Sequence, residues 1–211
     1  DALIATEDEL FYEHSGIDIR GTIRAMVYLG SKGGASTISQ QLAKQLFHKE
    51  KTRGIARYTQ KIKEWIIATR LEKQYTKEEI LTMYFNIYDL NNNADGIRSA
   101  AKIYFDKEPK QLKIEEGAML VGMFKNSALY NPVKNKEGVT NRRNVVLAQM
   151  AKNNYLTQEQ KDSLQQLPLK IKYTPESHND GIATYFREYL RSYMKTWVNE
   201  NPKPDGTKYN L

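Results

Sequence analysis

Cysteine is absent from the 211 residues, which removes disulfide frameworks, thiolate zinc sites, iron–sulfur clusters and cysteine nucleophiles together. Histidine is scarce. His14, His48 and His178 stand far apart in the chain, so a histidine-built metal site is not expected. No long apolar run occurs either: the longest, Ala118 to Phe124, is far short of the ~20 residues that carry a helix across a bilayer. No signal-peptide pattern opens the chain. It starts at Asp1 and runs straight into amphipathic sequence, as would a chain from which an upstream segment had been removed. Proline and glycine are few, and the balance of 40% hydrophobic to 27% charged residues excludes collagen-like, low-complexity and wholly disordered chains. The length suits one compact domain, with or without a tail.

Acidic charge falls short of basic charge, leaving a formal net charge of +7. The excess is concentrated. Between Gln40 and Glu64 lie Lys44, Lys49, Lys51, Arg53, Arg57, Lys61 and Lys63 against only Glu50 and Glu64. Such a patch suits nucleic acid, an anionic membrane surface or a phosphorylated substrate. A solvated helix face is the plain alternative.

Periodicity is helical nearly throughout. Ile38, Leu42, Leu46 and Phe47 recur at helical spacing after a Thr37-x-x-Gln40 capping box. Ile55, Tyr58, Ile62, Trp65 and Ile66 form one apolar stripe. Thr76-Lys-Glu-Glu79 and Thr157-Gln-Glu-Gln160 read as helix starts. Asn91-Asn-Asn93 breaks the pattern, which resumes over residues 96–105, 114–124 and 141–152. Only Leu167 to Tyr173 reads as a strand. The expected organisation is a mainly α domain over residues 1–165, then an extension over 166–211 carrying one more helix near 182–198.

Three elements carry chemistry. Glu7 and Asp8 are adjacent carboxylates close to aromatics and His14, and apolar neighbours suit a carboxylate to general-base work near neutrality. Gly33-Gly34 leads into a capped helix on which Thr37, Gln41 and Lys44 share a face; such an N-terminus favours an anion. Arg57, Lys61 and Glu64 form an i, i+4, i+7 row opposite the stripe of residues 55–65. That row is either a salt-bridge ladder or a carboxylate flanked by cations beside a phosphate.

Together these elements resemble the peptidoglycan glycosyltransferase domain (glycosyltransferase family 51) of class A penicillin-binding proteins and monofunctional transglycosylases. The first family motif, Glu-Asp-x-x-Phe-x-x-His, matches Glu7, Asp8, Phe11 and His14, and the second matches from Gly33 to Lys44. The third, Arg-Lys-x-x-Glu, matches Lys61 and Glu64, with Gln60 in place of the arginine and Arg57 one turn earlier. The fourth matches from Ile80 to Asn86, then Gly96 and Ala100 to Phe105. The fifth matches loosely at Glu116 to Leu120, Tyr130 to Pro132 and Arg142 to Leu147.

The resemblance implies a lysozyme-like, mainly helical domain with little β structure that polymerises lipid II into β-1,4 glycan strands with inversion. It makes Glu7 the general base and Glu64 a second catalytic glutamate beside the diphosphate. It places Asp8, Phe11, His14, Arg24, Thr37, Gln41, Lys44, Arg57, Lys61 and Lys63 among the substrate-binding residues. By analogy with inverting glycosidases, the two glutamates are expected beyond ~6.5 Å apart. No cofactor is required on this reading, although a divalent cation (Mg or Mn) could bridge Glu64 and the diphosphate.

The implied partners are lipid II, the growing glycan chain, moenomycin-type inhibitors and a membrane surface met by the amphipathic stretch Gly21 to Leu29. A transpeptidase domain in the full-length protein is also implied, as is a place on the extracytoplasmic face of a bacterial membrane. Nucleic acid is not an expected partner, because the basic patch carries no nucleic-acid-binding signature. A catalytically silent lipid-diphosphate binder and a lysozyme-like hydrolase are the rival readings.

Overall fold

A computed structural model describes residues 1–27, 36–47, 55–174, 184–203 and 209. The chain divides into two units, Asp1–Thr174 and Pro175–Leu211. In the first, the helices are α1 (Ala2–Glu7), α2 (Ile19–Val27), α3 (Ile38–Phe47), α4 (Ile55–Gln74), α5 (Lys77–Ile87), α6 (Gly96–Phe105), α7 (Ile114–Met123), α8 (Lys136–Lys152) and α9 (Gln158–Gln166). The second unit carries α10 (Thr184–Glu200). No strand is present among the described residues, so the mainly α expectation holds.

The core is organised around α7. Six successive residues, Ala118 to Met123, are buried, because α7 is covered on several sides. It packs most extensively on α8, and also on α1 and α6. Gly122 lets α8 come close: a Cβ there would stand 3.0 Å from Arg142 Cγ. A second group forms where α3 packs on α4 and α5, with Ile38, Leu42, Ile80 and Tyr84 fully buried. Arg143 is the largest buried polar side chain, 1% exposed. Its guanidinium donates to Asn144 Oδ1 and to the Gln165 carbonyl, which clamps α9 on α8. Burial lowers its affinity for the proton.

Local chemistry sets most helix starts. Thr76 and Thr157 each form a complete capping box, with Glu79 and Gln160. At Thr37 only half forms. Its hydroxyl accepts from the Gln40 N–H at 3.2 Å, but the Gln40 side chain turns to the Gly16 carbonyl at 3.3 Å. Asn91, Asn92 and Asn93 are all left-handed, with φ of 61°, 56° and 64°, which asparagine tolerates better than most residues. They reverse the chain so that the Leu90 N–H reaches the Ala94 carbonyl at 2.9 Å.

The candidate strand at 167–173 is instead an extended segment without a strand partner. Its Lys172 N–H, and that of Thr174, donate to the Tyr104 and Ile103 carbonyls at 2.8 Å each. Those are end-of-helix acceptors on α6, which the helix cannot satisfy itself. The same corner holds Asp106, left-handed at φ 55° and paired with Lys102 and Lys172. Hydrogen bonds from these two lysines pull its carboxyl down to about 2.

The face of α4 is also a correction. Gln60, Glu64, Ala68 and Leu71 point inward, whereas Tyr58, Ile62 and Ile66 of the expected apolar stripe are 75%, 54% and 51% exposed. On this inner side the Glu64 carboxylate is satisfied from its own helix, by Gln60 and Lys61, and a buried carboxylate without donors would be costly.

Among the described glycines, Gly16 comes closest to the backbone of another element. Its φ is +93°, and a Cβ would stand 2.9 Å from the backbone of Ala68 on α4. Its carbonyl meanwhile accepts from Thr37 Oγ1 at 2.7 Å. Gly16→Ala should cost about 2 kcal/mol or more through strain and forced separation. Chemical denaturation reads this directly, and an unchanged midpoint would contradict it.

Candidate active site

The carboxylates of the first motif sit where α1 ends. Backbone geometry turns sharply at Asp8, whose N–H still reaches the Ile4 carbonyl at 3.0 Å. This sends the side chains of Glu7 and Asp8 to different partners. Asp8 Oδ2 accepts the N–H of Ile38 at 2.9 Å, the first residue of α3, and both its oxygens lie 3.0 Å from His14 Nε2. His14 Nδ1 accepts the Gly16 N–H at 3.1 Å. With Nδ1 an acceptor, the ring proton belongs on Nε2, facing Asp8. The anion expected at the α3 N-terminus is therefore supplied, at Ile38, by Asp8 itself. Gly33 and Gly34 lie outside the described residues.

A second network braces the same corner. Lys77 pairs with Glu72 at 2.6 Å, donates to the His14 carbonyl at 2.7 Å and stands 4.4 Å above the Phe11 ring. Ser39 donates to the other Glu72 oxygen at 2.5 Å. Asp8, Phe11, His14 and Thr37 are accordingly buried or nearly so. The hydrogen-bonding groups of Asp8, His14 and Thr37 are engaged within the protein's own frame, while Asp8 and Thr37 also border the cleft beside Glu7.

Glu7 is different. Its Oε2 accepts from Gln41 Nε2 at 3.0 Å, and its Oε1 lies 3.7 Å from an Arg142 terminal nitrogen. The side chain remains 18% exposed at the wall of an open cleft of about 180 Å³. Arg24, Lys152, Asp18 and Ser36 border the same cleft. Arg142 is incompletely satisfied, since its Nε is buried without a partner. Gln41 is held in turn by Tyr84, whose hydroxyl donates to Gln41 Oε1 at 2.9 Å.

Glu64 is only 4% exposed. It accepts from Gln60 Nε2 at 3.0 Å and Lys61 Nζ at 3.2 Å, and Lys61 also reaches Ser36 Oγ at 2.8 Å. Gln60 thus supplies by an uncharged amide the donor that the missing arginine would have given. Lys44, Arg57 and Lys63 are exposed. Among the described residues no cluster of three or more acidic or histidine side chains is placed to hold a metal. Each Glu64 oxygen accepts one protein donor.

Cations, an accessible carboxylate and a cleft between two helix groups are the ingredients of a displacement with an anionic leaving group. A family model described as Transglycosylase matches residues 1–151. The chain belongs to the transglycosylase family. Penicillin-binding protein 1A of Escherichia coli is 38% identical over 97% of this chain and 24% of its own length. Penicillin-binding protein 2a of Streptococcus pneumoniae is 36% identical over 100% and 27%. A crystal structure of penicillin-binding protein 1A from Haemophilus influenzae overlaps 80% of this chain and 21% of that one, with 24% identity and a TM-score of 0.46. The chain spans about a quarter of the length of the curated relatives it matches.

Reading the transglycosylase sequence alone missed Arg142, Lys152 and Tyr84 as neighbours of the Glu7 environment. Arg142 lies within the loosely matching fifth motif, but nothing local points it at Glu7. The packing of α1 on α8 does so.

Asp8→Ala removes the α3 cap and strands His14 together. A loss of about 2 kcal/mol is expected, measured by urea unfolding. Parent-like stability would mean that the cap is dispensable.

Proposed function

We propose that this transglycosylase domain joins lipid II units into glycan, with Glu7 as general base. The carrying observation is that Glu7 alone of the two motif glutamates has a carboxylate open to a cleft, while Glu64 is enclosed. In this reading Glu7 takes the proton of the acceptor's N-acetylglucosamine 4-hydroxyl as that oxygen attacks C1 of the donor's N-acetylmuramic acid. The bond from C1 to the diphosphate oxygen breaks with inversion, and undecaprenyl diphosphate departs as an anion. The leaving group needs cations more than a proton, and charge-assisted bonds to arginine and lysine stabilise its developing charge. Arg24, at the cleft, and the exposed Lys44, Arg57 and Lys63 are the candidates.

Glu64 acts through Lys61 in this scheme. Buried, it anchors the ammonium beside Ser36 and so fixes one cation where the diphosphate is to lie. Moenomycin-type inhibitors would compete for the same cationic surface. A silent lipid-diphosphate binder would have no use for a carboxylate held by Gln41 at the wall of a cleft, which favours the enzyme.

A membrane partner is supported by the outward face of α4. Tyr58, Ile62 and Ile66 recur one turn apart and are more than half exposed, close in sequence to the exposed Arg57, Lys63 and Arg70. Apolar side chains flanked by cations suit an interface with anionic lipid. Among the described residues, no helix is long and apolar enough to cross a membrane. We place the domain on the extracytoplasmic face of a bacterial membrane, in a protein that also carries a transpeptidase domain.

Two measurements test these readings. Glu7→Gln, folded like the parent, should lose polymerisation of lipid II by a hundredfold or more, scored as lysozyme-digestible glycan on a gel; retained polymer would remove Glu7 from the base role. Replacing Tyr58, Ile62 and Ile66 with serine should weaken cosedimentation with phosphatidylglycerol vesicles several-fold at unchanged melting temperature. Equal cosedimentation would exclude α4 from the membrane face.

A further inference from the structure

Tyr84 is wholly buried on α5 and cannot meet a substrate, yet its hydroxyl ends in the Glu7 environment. It donates to Gln41 Oε1 at 2.9 Å, and the opposite end of that amide, Nε2, donates to Glu7 Oε2 at 3.0 Å. An amide presents an acceptor at one end and donors at the other, and which end faces which partner is decided by the partners themselves. We propose that Tyr84 is a positioning residue for the glycosyl transfer, locking the Gln41 amide so that its N–H holds one oxygen of Glu7 and leaves the other to receive the proton. The inference rests on Glu7 being the base.

The geometry around Tyr84 keeps the lock in one sense. Its ring is wedged between Tyr88 and Phe124, with centroids 4.8 Å and 5.5 Å away, so the hydroxyl has little freedom to leave Gln41. Burial, followed by the neighbouring Tyr88 and then Glu7, pushes the phenol far above its ordinary value. It therefore stays protonated and remains a donor. The two hydrogen bonds, Tyr84 to Gln41 and Gln41 to Glu7, run head to tail. Bonds arranged in this way reinforce one another inside a protein, and this chain ends on the Glu7 carboxylate.

Arg142 at 3.7 Å is too distant to fix the carboxylate by itself. Without the Tyr84 hydroxyl, the Gln41 carbonyl is left without its donor and the amide can turn away from Glu7. Glu7 then samples rotamers in which its free oxygen no longer faces the acceptor hydroxyl. Substrate contacts made elsewhere in the cleft are untouched, so the defect belongs in kcat rather than in KM.

The test is steady-state polymerisation of lipid II by the parent chain, Tyr84→Phe, Gln41→Met and the double variant. Tyr84→Phe keeps the packed ring and is expected to lower kcat by about fivefold to tenfold, with KM within about twofold. In the Gln41→Met background the same change should do nothing further, because the lock has no amide left to hold. An unchanged kcat in Tyr84→Phe, or losses that multiply in the double variant, would overturn the inference. A lowered melting temperature with parental kcat would reduce Tyr84 to a packing residue and overturn it equally. Glu7→Gln assayed alongside separates this from failure of the base assignment: polymer from that variant removes the base, whatever Tyr84 does.

Discussion

The Asp8 carboxylate is the joint on which the rest depends. It sits on the first N–H of α3 and on the His14 ring together, so the end of α1, the turn through Gly16 and the start of α3 are fixed relative to one another. A helix N-terminus carries unpaired donors and a partial positive charge, and an acidic side chain is the cheapest group to satisfy both. Everything functional is then set by short offsets from this joint. Glu7 is one residue earlier and turned to the cleft, and Gln41 is one turn into α3 and faces it.

The two helix groups divide the work. The group of α7, α8 and α1 is tightly apolar, with a run of six buried residues on α7, and it presents Glu7 and Arg142 from a rigid base. The group of α3, α4 and α5 adds polar ties to its buried apolar side chains: Ser39 of α3 to Glu72 of α4, and Glu72 to Lys77 of α5. Buried polar networks of this kind specify one arrangement, because each member stranded by a shift would cost desolvation energy without return. Arg24 and Lys152 border the cleft, while α4 keeps Tyr58, Ile62 and Ile66 outward.

Much of the helical framework was legible in the chain. The capping boxes at Thr76 and Thr157, the break at Asn91–Asn93 and the helices over 96–105 and 114–124 follow from local rules that a short window contains. The failures are equally specific. The 167–173 segment has strand-like residues, but its hydrogen-bond acceptors belong to the end of α6. The α4 stripe looked like a core face, yet Gln60, Glu64, Ala68 and Leu71 turn inward and Tyr58, Ile62 and Ile66 outward. In the site, the motif pattern singled out Glu7, Gln41 and Glu64, whereas burial separated Glu7, open to the cleft, from Glu64, which is enclosed.

What the sequence determined by itself was the family, the helical class and the identities of the charged groups, because these depend on residue types at short spacings. Tertiary structure alone decided which motif residues line the cleft and which, like Phe11 and His14, are spent inside the frame. It also brought Arg142 and Tyr84 into the Glu7 environment from helices remote in sequence. Solvent exposure and hydrogen-bond partnership are properties of packed pairs of helices. No pattern along one helix contains them.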